Sequence, residues 1–193
     1  MDFLWEKDVT PPRFPQLSGD VETDVLIIGG GMAGILCARA LQERGVDYLL
    51  VEGKTIGSGI TRGTTAVLTA QHGTLYYDLI QKFGPRCAKQ YLDANLRAVD
   101  EFRALSKHIP CEFEEKPSYQ YTHGDTKTLE REAKAVQSLG FLAEFVTKTP
   151  LPFEVVGAVR YPGMAQFHPL KFLYGAAQGL HICENSFVRA VKN

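Results

Sequence analysis

No apolar run among these 193 residues approaches the roughly 20 that a bilayer-spanning helix needs. An excess of either charge is also missing. Twenty-one Lys and Arg stand against 22 Asp and Glu, a net charge of −1, which gives no electrostatic reason to expect nucleic acid or an anionic membrane as partner. The start Met1-Asp2-Phe3-Leu4-Trp5-Glu6 lacks the basic residues and apolar stretch of a secretory signal. Cysteine is sparse: Cys37, Cys87, Cys111 and Cys183 form no C-x-x-C pair, which argues against a metal knot or disulfide framework. They read as reduced packing residues of a cytoplasmic protein. No internal repeat or low-complexity tract occurs. What remains is an ordinary globular composition, 45% hydrophobic and 22% charged, long enough to bury a core.

The most informative stretch is Asp24–Glu52. Val25-Leu26-Ile27-Ile28 is apolar and β-branched, as in a fully buried parallel strand. It runs into Gly29-Gly30-Gly31-Met32-Ala33-Gly34, a G-x-G-x-x-G match. The helix behind it should bury Ala33, Leu36, Cys37, Ala40 and Leu41 on one face and stop at Gly45, a left-handed cap. A second buried strand, Tyr48–Val51, ends in the acid Glu52. Each part suits an adenine dinucleotide. Gly29 permits the tight turn, Gly31 lets the backbone approach a pyrophosphate, and Gly34 lets the helix lie close on the strand. Unpaired N–H groups at the helix start favour phosphate, and Glu52 can accept hydrogen bonds from a ribose hydroxyl pair. A lone glycine motif is weak; the strand, helix, second strand and acid at the right spacing are not.

Residues 1–23 read as an extended lead-in, since Thr10-Pro11-Pro12-Arg13-Phe14-Pro15 cannot be helical. Pro85 suits a first helical position, with a helix to about Lys107 whose apolar stripe is Ala88, Leu92, Val99, Phe102 and Leu105. Its opposite face carries a solvated ladder, Lys89, Asp93, Arg97 and Glu101. Strand-like pieces follow at Glu112–Glu115 and Ser118–His123, then a helix over 126–138 ending at Gly140. Residues 160–167 read as a hairpin around the type II turn pair Pro162-Gly163. A helix opens at His168-Pro169 and runs to Gly179, and two short β-like pieces, 181–184 and 186–191, close the chain.

A nicotinamide domain normally adds a third parallel strand soon after the second. Here a loop rich in glycine and hydroxyls follows instead, Gly57-Ser58-Gly59-Ile60-Thr61-Arg62-Gly63-Thr64-Thr65-Ala66. That interruption favours FAD, with NAD as the alternative, and Glu52 would repel a 2′-phosphate. The loop should emerge at the carboxyl edge of the sheet. There its glycines allow a nest of N–H groups, and its hydroxyls can bond phosphate or ribityl oxygens.

With Thr23–Glu52, this loop and Gln71-His72-Gly73, the chain resembles the D-amino-acid oxidase-like FAD-dependent oxidoreductases. It is most similar to the bacterial subgroup with a C-terminal Rieske [2Fe–2S] domain. Residues 164–171 and Glu184-Asn185-Ser186-Phe187-Val188 fit the same subgroup in order. The resemblance implies an α/β fold: a Rossmann-like FAD-binding βαβ domain interleaved with part of an α+β substrate domain carrying an antiparallel sheet. Residues 24–80 and 170–193 would belong to the FAD domain, incomplete here, and 81–169 to a partial substrate domain. It further implies oxidation of a C–N bond of an amine or amino acid. The expected cofactor contacts are Gly29, Gly31, Met32, Ala33, Gly34, Glu52, Gly53, Lys54, Ser58, Gly59, Thr61, Thr64, Thr65 and Ala66, with the Val188 backbone bracketing the adenine. Members continue well beyond the strand of Val188 and carry C-x-H…C-x-x-H ligands, absent here, so the chain reads as an N-terminal fragment whose full-length form would add an electron-transfer domain.

No catalytic residue and no metal ligand set is assigned. His72 either faces the cofactor or bonds backbone at a helix entry. His168 reads as an N-terminal helix neighbour more than a base, and Gln166 lies close to where members hold substrate. Tyr119 and Tyr121 read as core more than pocket. Glu112, Glu114 and Glu115 read as a solvent-facing cluster.

Overall fold

In chain order the regular elements are β1 (Val25–Ile28), α1 (Met32–Glu43), β2 (Tyr48–Val51), β3 (Val67–Leu68), α2 (Tyr76–Ser106), β4 (Glu114–Glu115) and β5 (Ser118–Thr122). They continue with α3 (Lys127–Ser138), β6 (Glu144–Val146), β7 (Gly157–Tyr161), β8 (Ala165–Gln166), α4 (Pro169–Ala176) and β9 (Ile182–Cys183). The structure, a computed structural model, describes residues 3–192. The chain divides into two compact units. The first comprises Met1–Ala66, Leu105–Glu112 and His168–Asn193, and the second Val67–Ala104 and Phe113–Phe167.

The first unit is built on a parallel sheet of order β1-β2-β9. Short apolar runs set these strands, and α1 covers one face. Leu50 and Ile35, both fully buried, each contribute about 1.5–3 kcal/mol by leaving water. Helix α1 ends as its sequence requires. Gly45 takes φ +66° and donates to the Gln42 carbonyl, while Val46 N–H reaches Leu41, a Schellman motif.

Two expectations for this unit need correction. β1 is not fully buried: Leu26 is 48% and Ile28 56% exposed, because β1 edges the sheet and only the Ile27 face is covered. The α1 stripe is also rotated. Ile35 and Ala38 are buried, whereas Ala33 and Cys37 are exposed. The cause is tertiary: the helix is pressed on the sheet at Gly34 and flanked by α4, so the neighbours choose the face.

α4 opens on His168, whose Nδ1 accepts the Lys171 N–H at 3.2 Å, with Pro169 in the first turn. The reading of His168 as a helix neighbour holds; it acts as an N-cap. Capping needs the neutral imidazole. Burial, helped by the Lys171 ammonium, holds its pKa below the ordinary 6.5, while the charges of Glu112 and Asp8 pull the other way. The unfolded chain therefore takes up this proton before the folded chain does. The stabilisation is complete above about pH 6.5 and is lost as pH falls through the lowered folded value, by at most ~1.4 kcal/mol per pH unit. Urea melts between pH 7.5 and 5 should show that loss. His168→Asn, which keeps a non-titrating acceptor, should flatten it.

The second unit carries two antiparallel sheets, of order β5-β7-β6 and β3-β8-β4. Gly163 has the φ of +70° that a type II turn requires at its third position. The strands flanking Pro162-Gly163 are nevertheless not a hairpin. Both edges of β7 are occupied by β5 and β6, so β8 pairs elsewhere. In α2, Gly84 (φ +80°) breaks the helix and Pro85 restarts it, with Ala88, Leu92 and Val99 buried as the stripe predicts. Residues 186–191 form no strand, since Asn185 (φ +51°) turns the chain out of the sheet. Glu132 of α3 is 1% exposed and accepts the Tyr76 and Tyr77 N–H groups at 2.7 and 2.9 Å, capping the start of α2.

Candidate functional site

The candidate site lies in the first unit, where β1 and β2 give way to α1 and to the loop after Glu52. Gly29, at φ +110°, donates to the Val51 carbonyl at 2.8 Å, so the turn is locked to the neighbouring strand. A Cβ on Gly34 would sit 1.9 Å from the Gly29 carbonyl oxygen, so only glycine lets the helix approach. Gly31 differs. It is the N-cap at φ −83°, open to any residue, and a Cβ there would meet nothing nearer than the Thr61 hydroxyl at 3.6 Å. The fold itself does not require a glycine at Gly31, and the space before it is free for a ligand. The first helical bond runs from Ile35 N–H to the Gly31 carbonyl. The N–H groups of Met32, Ala33 and Gly34 therefore have no partner inside the helix. Among the described residues only Met32 has a loose substitute, Thr61 Oγ1 at 3.4 Å. That set of donors at a positive helix end suits an anion.

Glu52 directly follows β2. Its Oε2 accepts the Gly30 N–H and its Oε1 the Lys54 N–H, both at 2.8 Å. A carboxylate offers about four acceptor positions, so these two bonds fix it in place and leave capacity for a pair of sugar hydroxyls. Gly30, to which the sequence assigns no role, is sterically confined. A Cβ there would lie 2.7 Å from Ile56 Cγ2.

The loop is ordered by its surroundings. Gly57 (φ +72°) packs under Leu170 and Leu173 of α4, and its N–H donates to the Gly30 carbonyl. Ser58 Oγ bonds the Thr55 carbonyl, Gly59 is exposed, and Thr61 is buried beside the start of α1. Thr64 Oγ1 accepts the Ala66 N–H, Ala66 itself is buried at φ +62°, and Thr65 is exposed. A Cβ on Gly53 would meet the Phe187 ring at 2.9 Å, and Val188 lines a surface cavity of about 680 Å³ with Leu26, Val51 and Phe187. The structure thus gathers Gly29–Gly34, Glu52, Lys54 and Thr61. Thr65 and Val188 make no hydrogen bond to that group among the described residues.

Glu184 is the residue the sequence reading missed. It is 2% exposed, and its carboxylate accepts Ile56 N–H at 2.7 Å and Phe14 N–H at 3.2 Å. Its own N–H donates to the Pro15 carbonyl, which ties the lead-in to the loop base. The available signal was positional: like Glu52, it directly follows a strand of the parallel sheet.

In the second unit, His72 is exposed and its Nδ1 lies 2.8 Å from the Tyr91 hydroxyl. Gln166 bonds Glu114, and Tyr121 is 41% exposed against Phe153 and His123. Glu112, Glu114 and Glu115 are exposed, as expected. No group of three or more metal-ligating side chains occurs among the described residues, and none of their helices is long and apolar enough to cross a membrane.

Comparison with known proteins agrees with this geometry. A family model described as FAD dependent oxidoreductase matches residues 24–193. The Bacillus subtilis protein YhfW, described as a Rieske 2Fe-2S iron-sulfur protein, is 36% identical over 173 residues, 88% of this chain and 34% of that protein. Glycine oxidase from Bacillus cereus superposes with a TM-score of 0.64 at 23% identity, over 89% of this chain and 48% of that one. L-α-glycerophosphate oxidase from Mycoplasma pneumoniae, solved with FAD bound, superposes at 0.63 and 15% identity, over 84% of this chain and 44% of that one. At such identities the two structures speak for the fold alone. The chain spans about a third of the length of YhfW.

Proposed function

Because the chain belongs to the family of FAD dependent oxidoreductases, we propose that it holds the ADP half of FAD at the α1 mouth. The protein it represents would oxidise the C–N bond of an amine or amino acid. FAD, when bound, supplies the acceptor for the hydride that leaves the substrate carbon. The chain's own residues bind and orient. The N–H groups of Met32, Ala33 and Gly34 receive the pyrophosphate, and Glu52 receives the ribose hydroxyls. Hydroxyls of Ser58, Thr61, Thr64 and Thr65 reach along the ribityl side, with Gly53, Lys54, Gly59 and Ala66 forming the wall between them. The Val188 backbone borders the adenine. In Thr61 the hydroxyl oxygen takes the Met32 N–H, which leaves its hydrogen to donate to ligand. The antiparallel strands within 81–169 begin the substrate-binding part, and a Rieske-type electron-transfer domain is the partner that the description of YhfW suggests.

The observation that carries this reading is the unfilled space at Gly31 beside three N–H groups and a fixed carboxylate. The test is FAD uptake by the purified chain: a yellow protein with bound-flavin absorption, bleached by an amine or amino acid in the longer protein. A colourless preparation that ignores added FAD would sink the proposal. A second reading, a non-catalytic dinucleotide-binding module, draws on the Met32–Gly34 N–H groups and the Glu52 carboxylate, which in this proposal all serve the ADP half. Calorimetry separates the two, since comparable affinity for ADP and FAD without turnover favours the module. NADH binding without flavin would favour the nicotinamide alternative.

A further inference from the structure

We propose that the N-terminal turn Phe3–Glu6 is a clamp that holds the 57–66 loop in its ligand-receiving shape, with Trp5 as the positioning residue; this rests on the cofactor reading above. The turn lies some twenty residues ahead of the glycine motif, yet three of its side chains engage the loop. The Trp5 indole N–H donates to the Thr64 carbonyl at 2.8 Å. Glu6 Oε1 pairs with Arg62 Nη1 at 2.8 Å. The Phe3 ring lies under the Arg62 guanidinium, 4.5 Å from centroid to carbon, and close enough to Gly63 that a Cβ there would meet it at 3.1 Å. Consecutive loop residues are therefore all engaged by the turn, Arg62 by Glu6 and Phe3, Gly63 by Phe3 and Thr64 by Trp5.

The clamp has a fixed base. The Trp5 ring meets His168 edge-on, with centroids 5.1 Å apart, and His168 is the cap of α4. From its other side the loop rests on α4 through Gly57. Glycines at Gly57, Gly59 and Gly63 make the loop conformationally free, so a ligand arriving at an unclamped loop would have to order it and bind more weakly. The clamp does this ordering beforehand and leaves the functional atoms available. It occupies the Thr64 carbonyl, while the Thr64 hydroxyl oxygen accepts the Ala66 N–H, which leaves its own hydrogen to donate. The chain holds one tryptophan, and this clamp is where it sits.

The test uses the 193-residue chain. Trp5→Phe keeps an aromatic ring and removes the N–H donor. Its FAD dissociation constant, read from flavin fluorescence on titration, should rise roughly tenfold. In the ligand-free chain, amide exchange should accelerate over residues 60–66 and stay unchanged in β1 and α1. Glu6→Gln, a change at an exposed side chain, should shift both readouts the same way by roughly two- to threefold. Leu4→Ala, 65% exposed in the same turn, should leave both at the wild-type level. Wild-type affinity and exchange in Trp5→Phe would overturn the clamp. So would faster exchange spread evenly over the unit, which would make Trp5 an ordinary packing residue. If the wild-type chain takes up no FAD while Trp5→Phe still loosens 60–66, the clamp stands and the cofactor reading falls.

Discussion

Gly31→Val should fold as the wild type does and lose FAD. The N-cap conformation at Gly31, φ −83° and ψ −175°, is extended backbone that valine favours, and a Cβ there meets only the Thr61 hydroxyl at 3.6 Å. Beyond Cβ, however, the branched side chain projects into the space before the Met32–Gly34 N–H groups. A pyrophosphate could then no longer reach hydrogen-bonding distance of the helix end. The expected loss is about 100-fold or more in affinity, roughly 3 kcal/mol, with a melting temperature within about 3 °C of wild type. Gly34→Ala is the matched contrast. Its Cβ would collide with the Gly29 carbonyl oxygen at 1.9 Å, so it should destabilise the unit whether or not ligand is present. Circular-dichroism melts and FAD titrations on the two variants separate fold from binding. Undiminished FAD affinity in Gly31→Val would show that the helix mouth is not where the cofactor sits.

The second large effect concerns stability. Glu132→Ala leaves the Tyr76 and Tyr77 N–H groups, at the buried start of α2, without their carboxylate acceptor. A lost cap together with two unsatisfied donors should cost about 3 kcal/mol, visible as a lower urea midpoint. Burial pushes the Glu132 carboxyl above its ordinary value of 4.5, although the two N–H groups pull it down. The folded state thus holds this proton more tightly than the unfolded chain. Its contribution is fully present below about pH 4.5 and diminishes as pH rises through the raised folded value. Glu132→Gln should therefore be nearly as tolerated as a neutral acid at one N–H, yet still face the second with an amide donor. An intermediate loss of about 1–2 kcal/mol is expected. A Glu132→Ala midpoint equal to wild type would mean that water satisfies the helix end.

What the sequence disclosed was the local part of this architecture. β1, α1 and β2 follow from apolar runs and a glycine motif, Gly45 and Gly140 announce helix ends by their conformational freedom, and Pro85 marks the restart of α2 after Gly84. What it hid depends on distant partners. The buried face of α1 is decided by the sheet and α4, so Ile35 and Ala38 replace Ala33 and Cys37. The two-residue strands β3, β4 and β8 have no pattern long enough to read, and their pairing is non-local. In the site, Gly29, Gly34 and Glu52 were legible because spacing alone defines them. Glu184 was not, because the backbone N–H it accepts from Ile56 lies 128 residues away. Trp5 was invisible for the same reason, its acceptor being 59 residues downstream.

The exposed thiols have a practical use. Cys37 and Cys87 are both exposed, one in each compact unit, whereas Cys111 is buried and Cys183 half-covered. Maleimide dyes should react first at those two positions, without engineered cysteines. Labels at these two positions would each report locally on their own unit when a nucleotide is added.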